Sequence, residues 1–147
     1  MIAVGSDHGG FALKEEIKKF LEKSNIQFKD YGTYDEKSCD YPVYAEKVCK
    51  AILDGECEKG LLFCGTGIGI SMAANKVKGI RAAACTDYFS AKYTRLHNDA
   101  NILCLGGRVI GAGLASELVN VFLNTEFEGG VNHVRRIALL KELENKK

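Results

Sequence analysis

Apolar residues fall in short runs that alternate with amphipathic stretches. Ile2 to Ser6 is apolar and stops at Asp7-His8-Gly9-Gly10, the pattern of a buried strand running into a turn. Leu13, Ile17, Phe20 and Leu21 then recur at helical spacing, with Lys14, Glu15, Lys18, Lys19 and Glu22 on the other side, so the spacing predicts a helix with one face to a core. Ile26 to Tyr31 reads as a second strand closed by Gly32, and Pro42 suits the first turn of a helix striped with Ala45, Val48, Cys49 and Ile52. Gly60 to Cys64 is apolar throughout, as in a strand covered on both faces. It opens into Gly65-Thr66-Gly67-Ile68-Gly69 and a helix through Ile70, Ala73 and Ala74. Ile80 to Thr86 and Ile102 to Leu105 are further strands, with a helix from Tyr88 to His97 between them. Leu114, Leu118 and Phe122 mark another helix, and a last one carries Val134, Ile137, Ala138 and Leu140.

Strand and helix thus alternate along the whole chain. The pattern predicts an α/β fold: one domain over residues 1–147, a doubly wound, Rossmann-like parallel sheet of about five strands flanked by helices. In such sheets ligands sit outside the carboxyl ends of the strands. The candidates there are Asp7 and His8 after the first strand, Cys64 to Gly69 after the third, and Arg108 after the last.

Composition narrows the chemistry. Twenty Lys and Arg against 19 Asp and Glu leave a net charge of +1, without the basic excess of a nucleic-acid binder. No apolar run approaches the roughly 18 residues of a membrane span, and Met1-Ile2-Ala3-Val4-Gly5-Ser6-Asp7 lacks a basic n-region, so a cytoplasmic protein is expected, with neither nucleic acid nor membrane as partner. The six cysteines form no CxxC pair, and the three histidines, His8, His97 and His133, match neither HExxH nor a finger pattern. No metal and no cofactor is expected. Cys49, Cys85 and Cys104 read as core, whereas Cys39 and Cys57 lie in polar stretches without a visible partner.

The glycine loop is neither a Walker motif nor a dinucleotide fingerprint, because no GxxxxGK[ST] exists and position 70 is Ile. Its glycines allow close backbone approach to a ligand, and amides at a helix start attract anionic oxygen. A thiol at Cys64, facing those amides, is placed where donated N–H bonds and a helix start favour the reactive thiolate, the form able to act as base or nucleophile. On the residues alone Cys64 reads equally well as a buried structural thiol, His97 as a helix-terminal imidazole, Asp7 as a helix cap and Arg95 as a solvated helix residue. Arg108, Arg135 and Arg136 are plausible anion clamps.

Longer motifs discriminate further. Gly5-Ser6-Asp7-His8-Gly9-Gly10-Phe11, Asp40-Tyr41-Pro42, Cys64 to Ser71, Ala74-Asn75-Lys76, Gly79-Ile80-Arg81-Ala82, Arg95, His97 to Asn101, Gly106-Gly107-Arg108 and Phe127-Glu128-Gly129-Gly130 together resemble the type B ribose-5-phosphate isomerases. The wider family includes galactose-6-phosphate and allose-6-phosphate isomerases. The resemblance implies an intramolecular oxidoreductase of the pentose phosphate pathway that interconverts D-ribose 5-phosphate and D-ribulose 5-phosphate through an enediolate, without metal. It implies Cys64 as the proton-shuttling base, the amides of Gly65, Gly67, Ile68 and Gly69 with Thr66 as enediolate donors, and Asn98 as a further donor. His97 becomes the ring-opening acid, Asp7 and His8 hold sugar hydroxyls, and Arg108 and Arg136 grip phosphate. One departure stands out in Val131-Asn132-His133-Val134-Arg135-Arg136: Asn132 occupies the place of an arginine common in relatives, so phosphate affinity or substrate range is expected to differ. The family forms dimers, or dimers of dimers, whose sites borrow residues from a neighbouring subunit. The competing readings are an isomerase of a six-carbon sugar phosphate and a non-catalytic sugar-phosphate-binding module on the same sheet.

Overall fold

The structure is a computed structural model that describes residues 1–146. Its elements follow the chain as β1 (Ile2–Ser6), α1 (Phe11–Lys23), β2 (Phe28–Asp30), α2 (Tyr41–Leu53), β3 (Lys59–Cys64), α3 (Ile68–Ala74), β4 (Ala82–Ala84), α4 (Tyr88–Leu96), β5 (Ile102–Gly106), α5 (Ala112–Asn124) and α6 (Val131–Asn145). The five strands are all parallel, in the order β2-β1-β3-β5-β4. The chain reverses winding direction between β1 and β3, the switch point at whose carboxyl edge doubly wound sheets place a ligand.

Strand alternation divides the core between the two faces. Ile2, Val4, Leu61, Phe63, Leu103 and Leu105 pack against α1, α4 and α5 through Leu13, Ile17, Leu21, Ala91, Leu118 and Phe122. Ala3, Leu62, Cys64, Ile102 and Cys104 turn the other way, toward α2 and α3, where Val48, Cys49, Ile70 and Ala74 meet them. The doubly wound α/β architecture read from the sequence is therefore present.

Differences gather at the margins. The two outer strands are shorter than the stretches read as strands, Ile26 to Tyr31 and Ile80 to Thr86, and each has a sheet neighbour on one side only. Cys57, expected in a polar loop, is a core residue of the α2 face, and Cys85 and Cys104 are buried as expected. Arg95 is not solvated: it is buried, with its guanidinium bonded to the carbonyls of Ala100 and Thr125 and to Asp99. In α6 only Ile137 is buried, while Val131, Val134, Leu139, Leu140 and Leu143 face outward.

One buried cation ties α1 to the end of β2. Lys14 has no exposed side-chain surface, and its Nζ donates to Asp30 Oδ1 at 2.7 Å and to the Thr33 carbonyl at 2.6 Å. Burial lowers the Lys14 pKa despite these partners. Burial alone would raise the Asp30 pKa, but the ammonium groups of Lys14 and Lys18 and the Gly32 N–H outweigh it and hold the carboxyl below its usual range. Lys14→Met, which removes the charge and keeps the length, is expected to cost about 3 kcal/mol, the lower range for breaking a buried pair, and to lower Tm by roughly 6–12 °C in calorimetry. Because the folded Asp30 pKa is depressed, the deficit is full above the ordinary carboxylate pKa of about 3.9 and narrows as pH falls through the lower folded value.

Candidate active site

Three loops meet at the carboxyl edge. The β1–α1 turn, the loop after β3 and the Gly106-Gly107-Arg108 turn after β5 are packed backbone against backbone: a Cβ on Gly10 would overlap the Phe63 backbone, and Gly107 and Arg108 donate their N–H groups to the carbonyls of Cys64 and Gly65 at 2.8 and 2.9 Å. Gly67 adopts φ 77°, a left-handed conformation that favours glycine. A Cβ on Gly67 would stand 2.9 Å from the Leu105 carbonyl carbon, so the loop is seated directly on the end of β5.

This seating aims backbone amides at sulfur. Cys64 ends β3 with its side chain on the α3 side, 5% exposed, and its Sγ accepts the Gly67 N–H at 3.1 Å. Thr66 is exposed beside it and accepts from the Ile68 N–H at 3.2 Å. The Arg108 side chain lies over Gly65, close enough that a Cβ there would sit 3.3 Å from Nη1. Asp7 is buried and accepts the Gly10 N–H at 3.1 Å, which caps the turn into α1 as the bland reading of this residue supposes. His8 Nδ1 accepts the Cys39 N–H at 3.2 Å, leaving Nε2 as the proton-bearing nitrogen. Asp7, His8, the 64–69 loop and Arg108 are thus together, at the strand ends where the topology rule seeks a ligand.

The remaining candidates are not with them. α4 runs back from the carboxyl edge, so His97 caps its far end at the amino edge of the sheet, on the face opposite Cys64. Arg81, just before β4, holds the carbonyls of Asn98 and Asp99 at 2.9 Å each, which fixes that level. Cys64 pairs with Gly106, whereas the Ile102 end of β5 is four residues lower, about 13 Å along the strand. Thiol and imidazole of one chain therefore do not face one cleft: β3 and α4 end at opposite edges.

At the amino edge a second group forms. α5 returns the chain so that α6 begins beside His97, and the His97 and His133 rings stack with centroids 4.0 Å apart and planes 11° from parallel. Tyr93 meets His97 edge-on and stacks on Phe89. Glu128, whose N–H donates to the Leu96 carbonyl at 3.2 Å, brings its carboxylate to 3.2 Å from His133 Nε2 and 4.0 Å from His97 Nε2. His97, Asn98, His133 and Arg136 share the wall of a cavity of about 510 Å³ with Tyr93 and Cys85. Asn132 is exposed on the first turn of α6 and accepts from Arg135 at 3.0 Å. The Glu128 contact with two imidazoles escaped the sequence reading, although Phe127-Glu128-Gly129-Gly130 had singled out its segment.

A family model described as Ribose/Galactose Isomerase matches residues 2–140. Among solved structures, ribose-5-phosphate isomerase B of Clostridium thermocellum superposes with a TM-score of 0.96 at 51% identity, covering 98% of this chain and 97% of that one. Ribose-5-phosphate isomerase B of Escherichia coli is 44% identical over 146 residues, 99% of this chain and 97% of its own. The D-erythrulose-4-phosphate isomerase of Pectobacterium atrosepticum is also 44% identical, over 131 residues that cover 88% of this chain and 86% of its own.

Proposed function

Since the chain belongs to the ribose/galactose isomerase family, we propose that it is a ribose-5-phosphate isomerase, an enzyme interconverting D-ribose 5-phosphate and D-ribulose 5-phosphate within the pentose phosphate pathway. The observation that carries this reading is the Cys64 sulfur, held by the Gly67 amide among loop N–H groups at the carboxyl edge.

The chemistry follows from those atoms. In the open-chain aldose the Cys64 thiolate takes the proton from C2, and the electron pair moves through the new C1–C2 double bond onto the C1 oxygen. The enediolate so formed is held by the loop amides and Thr66, donors worth most where charge develops. The same sulfur returns the proton to C1, the O2 proton passes to O1, and the ketone appears at C2 with no change of redox state overall. Asp7 and His8 bind hydroxyls, Arg108 and Arg136 bind phosphate with Asn132 and His133 beside them, Asn98 donates to a substrate oxygen, and His97 serves as the acid that opens the furanose.

Base and ring-opening acid lie at opposite edges of one sheet, so the complete site takes the carboxyl edge of one copy and the amino edge of another. A homodimer, or a pair of such dimers, supplies this, and the outward apolar residues of α6 with exposed Tyr88 and Phe89 are suited to the contact. The six free cysteines support a reducing cytoplasmic location. No described helix is long and apolar enough to cross a membrane.

Incubation with ribose 5-phosphate in deuterium oxide is expected to yield ribulose 5-phosphate with solvent deuterium exchanged into product or recovered aldose. Loss of the C2 proton without any exchange, over varied pH, would count against a solvent-exchanging thiol. Because the D-erythrulose-4-phosphate isomerase shares the Escherichia coli enzyme's 44% identity, over a shorter match, D-erythrulose 4-phosphate belongs in the same panel, with allose 6-phosphate and galactose 6-phosphate. Faster turnover of any of these would displace ribose 5-phosphate.

A further inference from the structure

We infer that His97, Glu128 and His133 form a binding site for a borderline divalent cation, zinc foremost, and that its occupation switches the isomerase off. The three donor atoms lie within 4.8 Å of one another, the one such cluster among the described residues. They stand on separate supports: His97 at the end of α4, Glu128 on the connecting segment anchored to Leu96, and His133 in the first turn of α6. Two imidazoles and a carboxylate make a donor set that zinc takes, leaving a fourth position for water.

The distances are within reach of a shared ion. Donors about 2.1 Å from a tetrahedral ion stand roughly 3.4 Å apart. Glu128 Oε1 is already 3.2 Å from His133 Nε2, and the 4.0 Å gap to His97 Nε2 must close by only a fraction of an ångström. The two rings stand 11° from parallel, so both must tip in opposite senses, and their donor atoms, now within 4.8 Å, must draw together, for the two Nε2 lone pairs to meet on one ion. The cavity wall they share gives an approach from solvent; Arg136, on the same wall, is the cation that opposes metal uptake.

Binding is independent of the proposed reaction, but its consequence rests on that reading. An Nε2 lone pair bound to zinc cannot carry the proton that opens the furanose, and the metal also draws His133 from phosphate.

The test is equilibrium dialysis of the full-length protein against zinc chloride at neutral pH, with cobalt(II) absorption reporting ligand type. Wild type is expected to bind one ion per chain with Kd on the order of micromolar, weakened at least about tenfold in Glu128→Gln and in His133→Gln. Turnover should fall in step with occupancy and return with chelator. Equal affinity in all three proteins would place the ion on cysteine sulfur and overturn the site, as would no binding at about 100 micromolar. Circular dichroism of both variants separates lost ligation from lost folding. Absence of turnover in chelator-treated wild type would reject the isomerase reading while leaving the binding isotherm to decide the metal site.

Discussion

Cys64→Ala is expected to lower kcat for ribose 5-phosphate by about 10²–10⁴-fold, the range for removal of a positioned base, with KM changed only severalfold. The groups assigned to phosphate and hydroxyls are untouched by the substitution, so substrate still binds, and the loss falls on proton transfer. The structural cost is small by comparison. Alanine removes the acceptor of one N–H bond, from Gly67, worth about 1 kcal/mol. Steady-state kinetics with a calorimetric Tm therefore separates the two effects. A variant that keeps wild-type kcat would remove the thiol from the mechanism, however well the fold is preserved.

Mixing two dead proteins should restore activity. Cys64→Ala lacks the base and His97→Ala lacks the acid, and each homo-oligomer is expected to be nearly inactive on the ring-closed sugar. In a mixed dimer one of the two sites pairs an intact carboxyl edge with an intact amino edge. Random reassortment makes half of the dimers mixed, so about a quarter of all sites become whole and turnover recovers to roughly a quarter of wild type, far above either parent, whose loss is on the order of a hundredfold or more. The separation of Cys64 and His97 by sheet edge and by sheet face makes this a sharp expectation. If no mixture exceeds the sum of its parts after unfolding and refolding together, each chain must complete its own site, and α4 and α6 would have to move.

How much of this could be read from the residues alone varied with their place in the sheet. The inner strands β1, β3 and β5 announce themselves because both faces are covered, which demands unbroken apolar runs such as Leu61-Leu62-Phe63. The outer strands β2 and β4 are bounded by hydrogen-bonding geometry as well as by hydrophobicity, so the strands read from Ile26 to Tyr31 and from Ile80 to Thr86 overran them. Cys57 was misplaced because Glu56 and Glu58 on either side are polar and its burial depends on α2 folding back over it.

The candidate site divides in the same way. Asp7, His8, the 64–69 loop and Arg108 are legible from topology, since a parallel strand followed by glycine must end at the ligand-binding edge. The pairing of His97 with His133 and Glu128 is not, because it depends on how far α5 carries the chain back before α6 begins. Lys14 illustrates a different blindness. Its charge among Glu15, Lys18 and Lys19 suggested the wet side of α1, yet Asp30 and the Thr33 carbonyl turn it inward.

α6 spends one side chain of its fifteen residues, Ile137, on its own chain's interior. Such a helix draws little cohesion from the protomer that carries it, and its placement is bound up with whatever surface meets Leu139 and Leu143. Since His133 and Arg136 ride on that helix, a second copy that covered those leucines, as proposed, would also set the aim of the groups assigned to phosphate, and association would become a condition of recognition as well as of shape.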